Sequence, residues 1–230
     1  MAAIADNLQA VRKRIERAAM AAGRDPATVT LLAVSKTHPP ASVRDAAAAG
    51  QRAFGENYVQ EALDKMQAAA DAAQDLEWHL IGPLQSNKTR LAAERFDWVQ
   101  TVASEKIARR LAEQRPAGMA PLNVLIQVNA SGEASKSGIS PAAAAALASS
   151  IAGMKGIRLR GLMAIPEPGA PRERYREMRD LYEKMKAAFG CDTLSIGMSD
   201  DMEAAIAEGS TMVRVGTAIF GERNKERSVA

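Results

Sequence analysis

Lys36 stands just past the apolar run Leu31–Val34 in TLLAVSKTHPP, and His38, Pro39 and Pro40 follow it. A continuous apolar run suits a strand covered on both faces. The prolines forbid further pairing, so the ammonium group is delivered at a strand's carboxyl end. A desolvated lysine in that position has a lowered pKa and attacks carbonyls, although a solvated strand end is the commoner fate of such a residue. Ser199 in IGMSDDMEAAIAEG and Gly216 and Thr217 in RVGTAIFG offer different chemistry. Small hydroxyls, a glycine that admits close approach and free N–H groups at a helix start together suit a phosphate. Asp200 and Asp201 would repel that phosphate if aimed at it, and are expected as outward-facing caps that complement the helix dipole. Arg214 lies two residues before Gly216 and points to the same face. His79, between Trp78 and Leu80, reads on its own as a hydrogen-bonded core histidine, and His38 as a loop residue.

The elements that must position these residues alternate in type. Strand patterns occur at 30–36, 52–57, 77–82, 98–102, 122–129, 159–165, 193–199 and 212–220. Lys36, Asn57 and Ser199 then close strands one, two and seven, with Met163 near the end of strand six. Helical patterns lie between them. Val59, Leu63 and Met66 share one face, and Tyr175, Met178, Leu181, Tyr182 and Met185 share another. Ser140 and Pro141 open an uncharged helix that ends near Gly153. An extra helix precedes the first strand: Ile4, Leu8, Val11 and Ile15 form its apolar stripe, opposite the wet face RKRIER. Eight strands alternating with helices, and no G-x-G-x-x-G or G-x-x-x-x-G-K-[ST] turn, favour a closed (β/α)8 barrel over an open doubly wound sheet. One domain over 1–230 is expected, with a mobile tail from about 222 to 230.

The 30 basic and 27 acidic side chains are interspersed, which leaves no stripe for a nucleic-acid backbone. A lone cysteine, Cys191, rules out an internal disulfide and fits a reducing compartment. The first residues show no signal-peptide pattern and the uncharged 137–154 stretch is marginal for a membrane span, so a cytoplasmic protein is expected. No metal site is expected. No apolar helix face stands out as unpartnered, so a monomer is the default.

In such a barrel the strands' carboxyl ends form the working face, and phosphates sit after strands seven and eight. An amine on one side of that rim and a phosphate cradle on its far side suit pyridoxal phosphate, which carries an aldehyde and a phosphate on one ring. Arg214 could then meet the ring nitrogen. The strings LLAVSKTHP, FGENYVQEALDK, WHLIGPLQSNK and LSIGMSDDMEAAIAEGSTMVRVGTAIFG resemble those of the pyridoxal phosphate homeostasis family, relatives of the barrel domain of alanine racemase. The resemblance runs from about Leu8 to Gly221. It implies that Lys36 forms a Schiff base with the cofactor, that Ser199, Gly216 and Thr217 hold its phosphate, and that Arg214 faces its ring nitrogen. Asn57, His79 and Met163 match positions that line the pocket. It also implies management of cellular pyridoxal phosphate without robust turnover, with pyridoxal phosphate-dependent apoenzymes as candidate recipients. A barrel aldolase using Lys36 on a sugar phosphate is one rival reading, and a racemase is the other. Against it, the barrel uses up the chain, and Tyr58, Tyr175 and Tyr182 all fall in helical patterns with none set over Lys36.

Overall fold

Runs such as LNVLIQV and WVQTV are buried along most of their length because they lie between a ring of helices and a filled interior. In a computed structural model, which describes residues 2–72, 75–132 and 137–222, the strands are β1 (Thr30–Val34), β2 (Ala53–Glu56), β3 (Glu77–Leu80), β4 (Trp98–Val102), β5 (Leu122–Val128), β6 (Ile157–Ala164), β7 (Thr193–Ser195) and β8 (Met212–Val215). All pair in parallel with their sequence neighbours. β8 pairs with β1 through Ala33 and Val215, which closes the barrel.

The helices are α1 (Ala2–Ala21), α2 (Pro40–Ala48), α3 (Val59–Ala69), α4 (Thr89–Arg95), α5 (Glu105–Gln114), α6 (Ala144–Ala152), α7 (Arg172–Phe189), α8 (Met202–Ala207) and α9 (Thr217–Phe220). α1 is the extra helix. It buries Leu8, Val11, Ile15 and Ala19 and packs on α8, α9 and α2. α7 buries Tyr175, Met178, Tyr182 and Met185, the spacing of one helical face. Among the described residues no helix is long and apolar enough to cross a membrane. The tail beyond Glu222 lies outside the described residues.

Several expectations need correction. The eighth strand ends at Val215, and Thr217–Phe220 is α9, because Gly216 turns the chain into a helical turn. β7 stops at Ser195, so Ser199 lies in the loop beyond it and does not close the strand. α4 has no counterpart in the sequence reading; its seven residues are too few to display a periodic stripe. The helix expected from Ser140 begins with a 3-10 turn at Pro141–Ala143, and the α-helix starts at Ala144. The buried face of α3 is Val59, Ala62, Lys65 and Ala69, with Leu63 and Met66 at its flank. Small alanines let that face approach the barrel closely enough to enclose a lysine.

Two apolar clusters fill the barrel. Leu32, Ala53 and Met212 form one with Ile81, and Trp98, Leu125 and Met163 form the other. Between them runs a polar column that leads to the site.

Candidate functional site

β7, β8 and β1 are consecutive staves of the ring, so their carboxyl-end loops adjoin. Lys36 follows β1 by two residues, half-buried and in phase with Leu32 and Val34, whereas the Ser35 side chain turns outward onto the buried Glu56 carboxylate (2.5 Å). Gly216 follows β8. A β-carbon there would lie 3.1 Å from the Val34 carbonyl oxygen, so only glycine lets the two strand ends come this close without adjustment. Thr217 is exposed at the first position of α9. Ser199 is half-buried in the β7 loop, where Arg14 of α1 donates to its carbonyl (2.9 Å) and pairs with Glu203 (2.8 Å). The phosphate-type loops therefore sit beside Lys36, not across the mouth from it, because β8 is the partner of β1.

Asp201 also departs from expectation. Its carboxylate turns in to accept from the Met198 amide and from the Tyr175 hydroxyl (2.7 Å). Its charge is spent on the loop backbone, while Asp200 is exposed. Tyr58 is not helical either. It is the N-cap position of α3, just past Asn57, and is 61% exposed at the rim.

Beneath the rim, Arg214 is 4% exposed. It donates to the Ser195 carbonyl (2.7 Å), the Ser195 hydroxyl (2.9 Å) and the Ala164 carbonyl (2.9 Å). Burial lowers its pKa to about 10, with Asp201 opposing the shift. Ser195 Oγ–H donates to Gln100 Oε1 (2.7 Å), and Gln100 Nε2–H to His79 Nδ1 (2.9 Å). His79 must then carry its proton on Nε2, which donates to Glu77 Oε1 (2.8 Å). Every donor in this chain points from Arg214 towards Glu77, which is part-exposed at the opposite mouth. His79 is fully buried and stacked on Trp98 with ring centroids 5.1 Å apart. Burial lowers its pKa, so it is neutral despite Glu77. Its ring nitrogens serve the column and it does not reach the rim. Met163 is fully buried one level below the mouth, paired with Ser195. Asn57 is half-buried at the rim, and its backbone rests on Gly82.

The strand-end arrangement thus gathers Lys36, Asn57, Ser199, Gly216 and Thr217 around one mouth, with Arg214 and Met163 forming its floor. Those residues fit a phosphorylated aldehyde. The floor presents a guanidinium that can only donate, and the β8 end at Gly216 passes close by Val34.

The alanine racemase N-terminal domain family matches residues 2–224 of this chain. The pyridoxal phosphate homeostasis protein of Pseudomonas aeruginosa is 59% identical over 228 residues, covering 97% of each chain. The chain belongs to the pyridoxal phosphate homeostasis protein family. PipY of Synechococcus elongatus PCC7942, solved with PLP bound, is similar with a TM-score of 0.82 and 36% identity over 95% of this chain and 100% of that one. Alanine racemase of Clostridium difficile 630 shares the fold, with a TM-score of 0.73 at 14% identity. The likeness covers all of this chain but 59% of the racemase.

In this family member the sequence reading missed Lys65, Glu56, Glu61, Gln100, Ser195 and Arg14. One signal existed: Lys65 falls three residues after Ala62 and four before Ala69, on the helical face that α3 buries.

Proposed function

We propose that this chain holds pyridoxal 5′-phosphate at the carboxyl-end mouth of its barrel and serves to store and release it without robust turnover. Lys36 is the covalent anchor through a Schiff base, Ser199, Gly216 and Thr217 cradle the phosphate, and Arg214 faces the ring nitrogen. Asn57 and Met163 line the pocket, and His79 acts on it only through Gln100, Ser195 and Arg214. The observation that carries this reading is the adjacency of the β7, β8 and β1 loops above a buried guanidinium. PLP-bound PipY and the naming of the Pseudomonas relative support the same ligand.

Bound there, the cofactor supplies an aldehyde for attachment and a ring that accepts electron density. Arg214 donates and cannot accept, so it keeps the ring nitrogen unprotonated and the electron sink weak. Two-sided proton transfer needs a second base within hydrogen-bond reach of the substrate. Tyr175 is committed to Asp201 and Tyr182 is buried, and burial raises both phenols, Tyr182 to about 12. Release would pass the cofactor to pyridoxal phosphate-dependent apoenzymes, with the chain acting as a monomer in the cytoplasm, where the free, buried Cys191 stays reduced.

The test is borohydride reduction of the cofactor-loaded chain followed by peptide mass mapping. A pyridoxyl adduct on Lys36 is expected, and an adduct confined to other lysines would refute the assignment. A racemase reading has one observation in its favour, the exposed Tyr58 at the end of β2, the strand next to β1. Rapid α-deuterium exchange of amino acids that disappears in both Tyr58→Phe and Lys36→Ala would establish that reading instead.

A further inference from the structure

Behind Lys36 lies a buried ion cluster that holding a cofactor does not by itself require. Lys65 of α3 is 2% exposed. Its ammonium is 2.6 Å from the Ser35 carbonyl oxygen, 2.7 Å from Glu56 Oε1 and 2.7 Å from Glu61 Oε1, so each of its three donors meets an acceptor. Glu56 Oε1 also takes the Ser35 hydroxyl at 2.5 Å, and Glu61 Oε1 takes the Thr37 amide at 2.5 Å. One ammonium therefore ties down the residue before Lys36 and, through Glu61, the residue after it.

Thr37 makes the tie informative. It is the one non-glycine residue of positive φ among the described residues, at 67°. A β-branched side chain is disfavoured there, and such strain persists only where surrounding contacts over-determine it. Two contacts do so here: the Glu61 carboxylate on the Thr37 amide (2.5 Å), and the His38 amide on the Ser35 carbonyl (3.1 Å), the same oxygen that takes Lys65. The cluster is also a poor device for stability alone, since apolar side chains of similar volume often fill such a seam as well as a buried ion pair does. Glu56 Oε2 is buried with no hydrogen-bond partner, which again is a cost that packing does not explain.

We propose that Lys65, Glu56 and Glu61 form a clamp that orients Lys36, fixing the backbone on both sides so that its amine is presented to the mouth. The three are positioning residues, and the proposal rests on cofactor attachment at Lys36. In that attachment the lysine nitrogen bonds the aldehyde carbon, and the aldehyde oxygen leaves as water with the two amine protons. The clamp acts on how fast the nitrogen reaches the carbon, not on how well the phosphate is held.

The experiment mixes cofactor-free protein rapidly with pyridoxal 5′-phosphate and follows visible absorbance. In parallel it titrates 4′-deoxypyridoxine 5′-phosphate, which has a methyl group in place of the aldehyde and cannot attach. Glu61 is part-exposed, so its substitution is compatible with folding. Glu61→Ala is expected to slow attachment at least about tenfold, because a misplaced reacting group loses much of its rate advantage. It should bind the deoxy analogue as the wild type does. Glu61→Gln keeps an oxygen for the Thr37 amide and should recover most of the rate. The paired variant Lys65→Met with Glu56→Gln should be slow like Glu61→Ala. Attachment in Glu61→Ala at the wild-type rate would overturn the clamp, as would an equal loss of analogue affinity, which would signal a general structural role. Failure of the wild-type chain to attach at Lys36 at all would overturn the cofactor reading together with the clamp, and is distinct from a clamp failure in which the wild-type adduct forms normally.

Discussion

Gly82→Ala probes the floor under Asn57. A β-carbon at Gly82 would lie 2.2 Å from the Asn57 carbonyl oxygen and 2.6 Å from its Cα. Ordinary contact begins near 3.4 Å, so the two backbones must part by about 1 Å. Thr101 Oγ1 holds the Gly82 carbonyl at 2.8 Å, which resists movement of Gly82 and directs the displacement into Asn57 at the rim. Overpacking of this kind costs about 1–3 kcal/mol, and the stiffer unfolded chain of alanine returns about 0.4–1 kcal/mol. A clash this close with backbone belongs in the upper half of that cost, so the net loss is about 1–2.6 kcal/mol, which for a chain of this size lowers Tm by about 2–10 °C. Gly55→Ala is the control. The nearest atoms to its β-carbon would be side-chain carbons, Ile81 Cδ1 (3.1 Å) and Leu32 Cδ2 (3.2 Å) and Cγ (3.3 Å), which need give by only a few tenths of an ångström. It should melt within about 2 °C of the wild type, since the small repacking cost and the entropic gain nearly cancel. Calorimetry of the cofactor-free variants and ultrafiltration of loaded ones would read stability and retention. A Gly82→Ala chain that melts with the wild type and retains cofactor equally would refute the reasoning.

Ser199→Ala should weaken retention with little spectral change, whereas Arg214→Gln should shift the visible band of the loaded chain; equal effects on both readouts in both variants would mean the roles are misassigned. The Glu56 carboxyl is pushed up to about 7 by burial, against the pull of Lys65. A folded value above the unfolded one of about 4.3 means that its stabilising share is complete at acid pH and is lost as pH rises through neutrality. Thermal melts should therefore show the wild type losing ground to Glu56→Gln between about pH 5 and pH 8, and parallel curves would contradict this. Tyr58→Phe should leave cofactor retention unchanged, as measured by absorbance after dialysis, because the exposed phenol holds nothing in the pocket.

The barrel is legible in eight strand-like runs that alternate with helical patterns, and seven of the eight begin within a residue of where the pattern puts them. Lys36 and Gly216 were readable as strand-end residues, but their adjacency was not. Which staves of a ring meet depends on closure between chain ends, here Ala33 with Val215, and no local pattern encodes it. Asp201 misled because a carboxylate in a first turn reads as a dipole cap, while the donors it actually accepts from are the Met198 amide and the Tyr175 hydroxyl, the latter 26 residues away in sequence. Lys65 was hidden for a similar reason. A lysine in QEALDKMQ looks solvated until the glutamates that neutralise it are known to share its seam.

A closed ring of parallel strands has no first or last member, so its main-chain ladder offers nothing for a visiting polypeptide to extend. Recognition by strand addition, a common way for one protein to take hold of another, is closed to this barrel wall. Were an apoenzyme to collect pyridoxal phosphate here, as proposed, it would have to read loops and side chains around a single opening, and substitutions on the far side of the wheel should leave that transfer untouched.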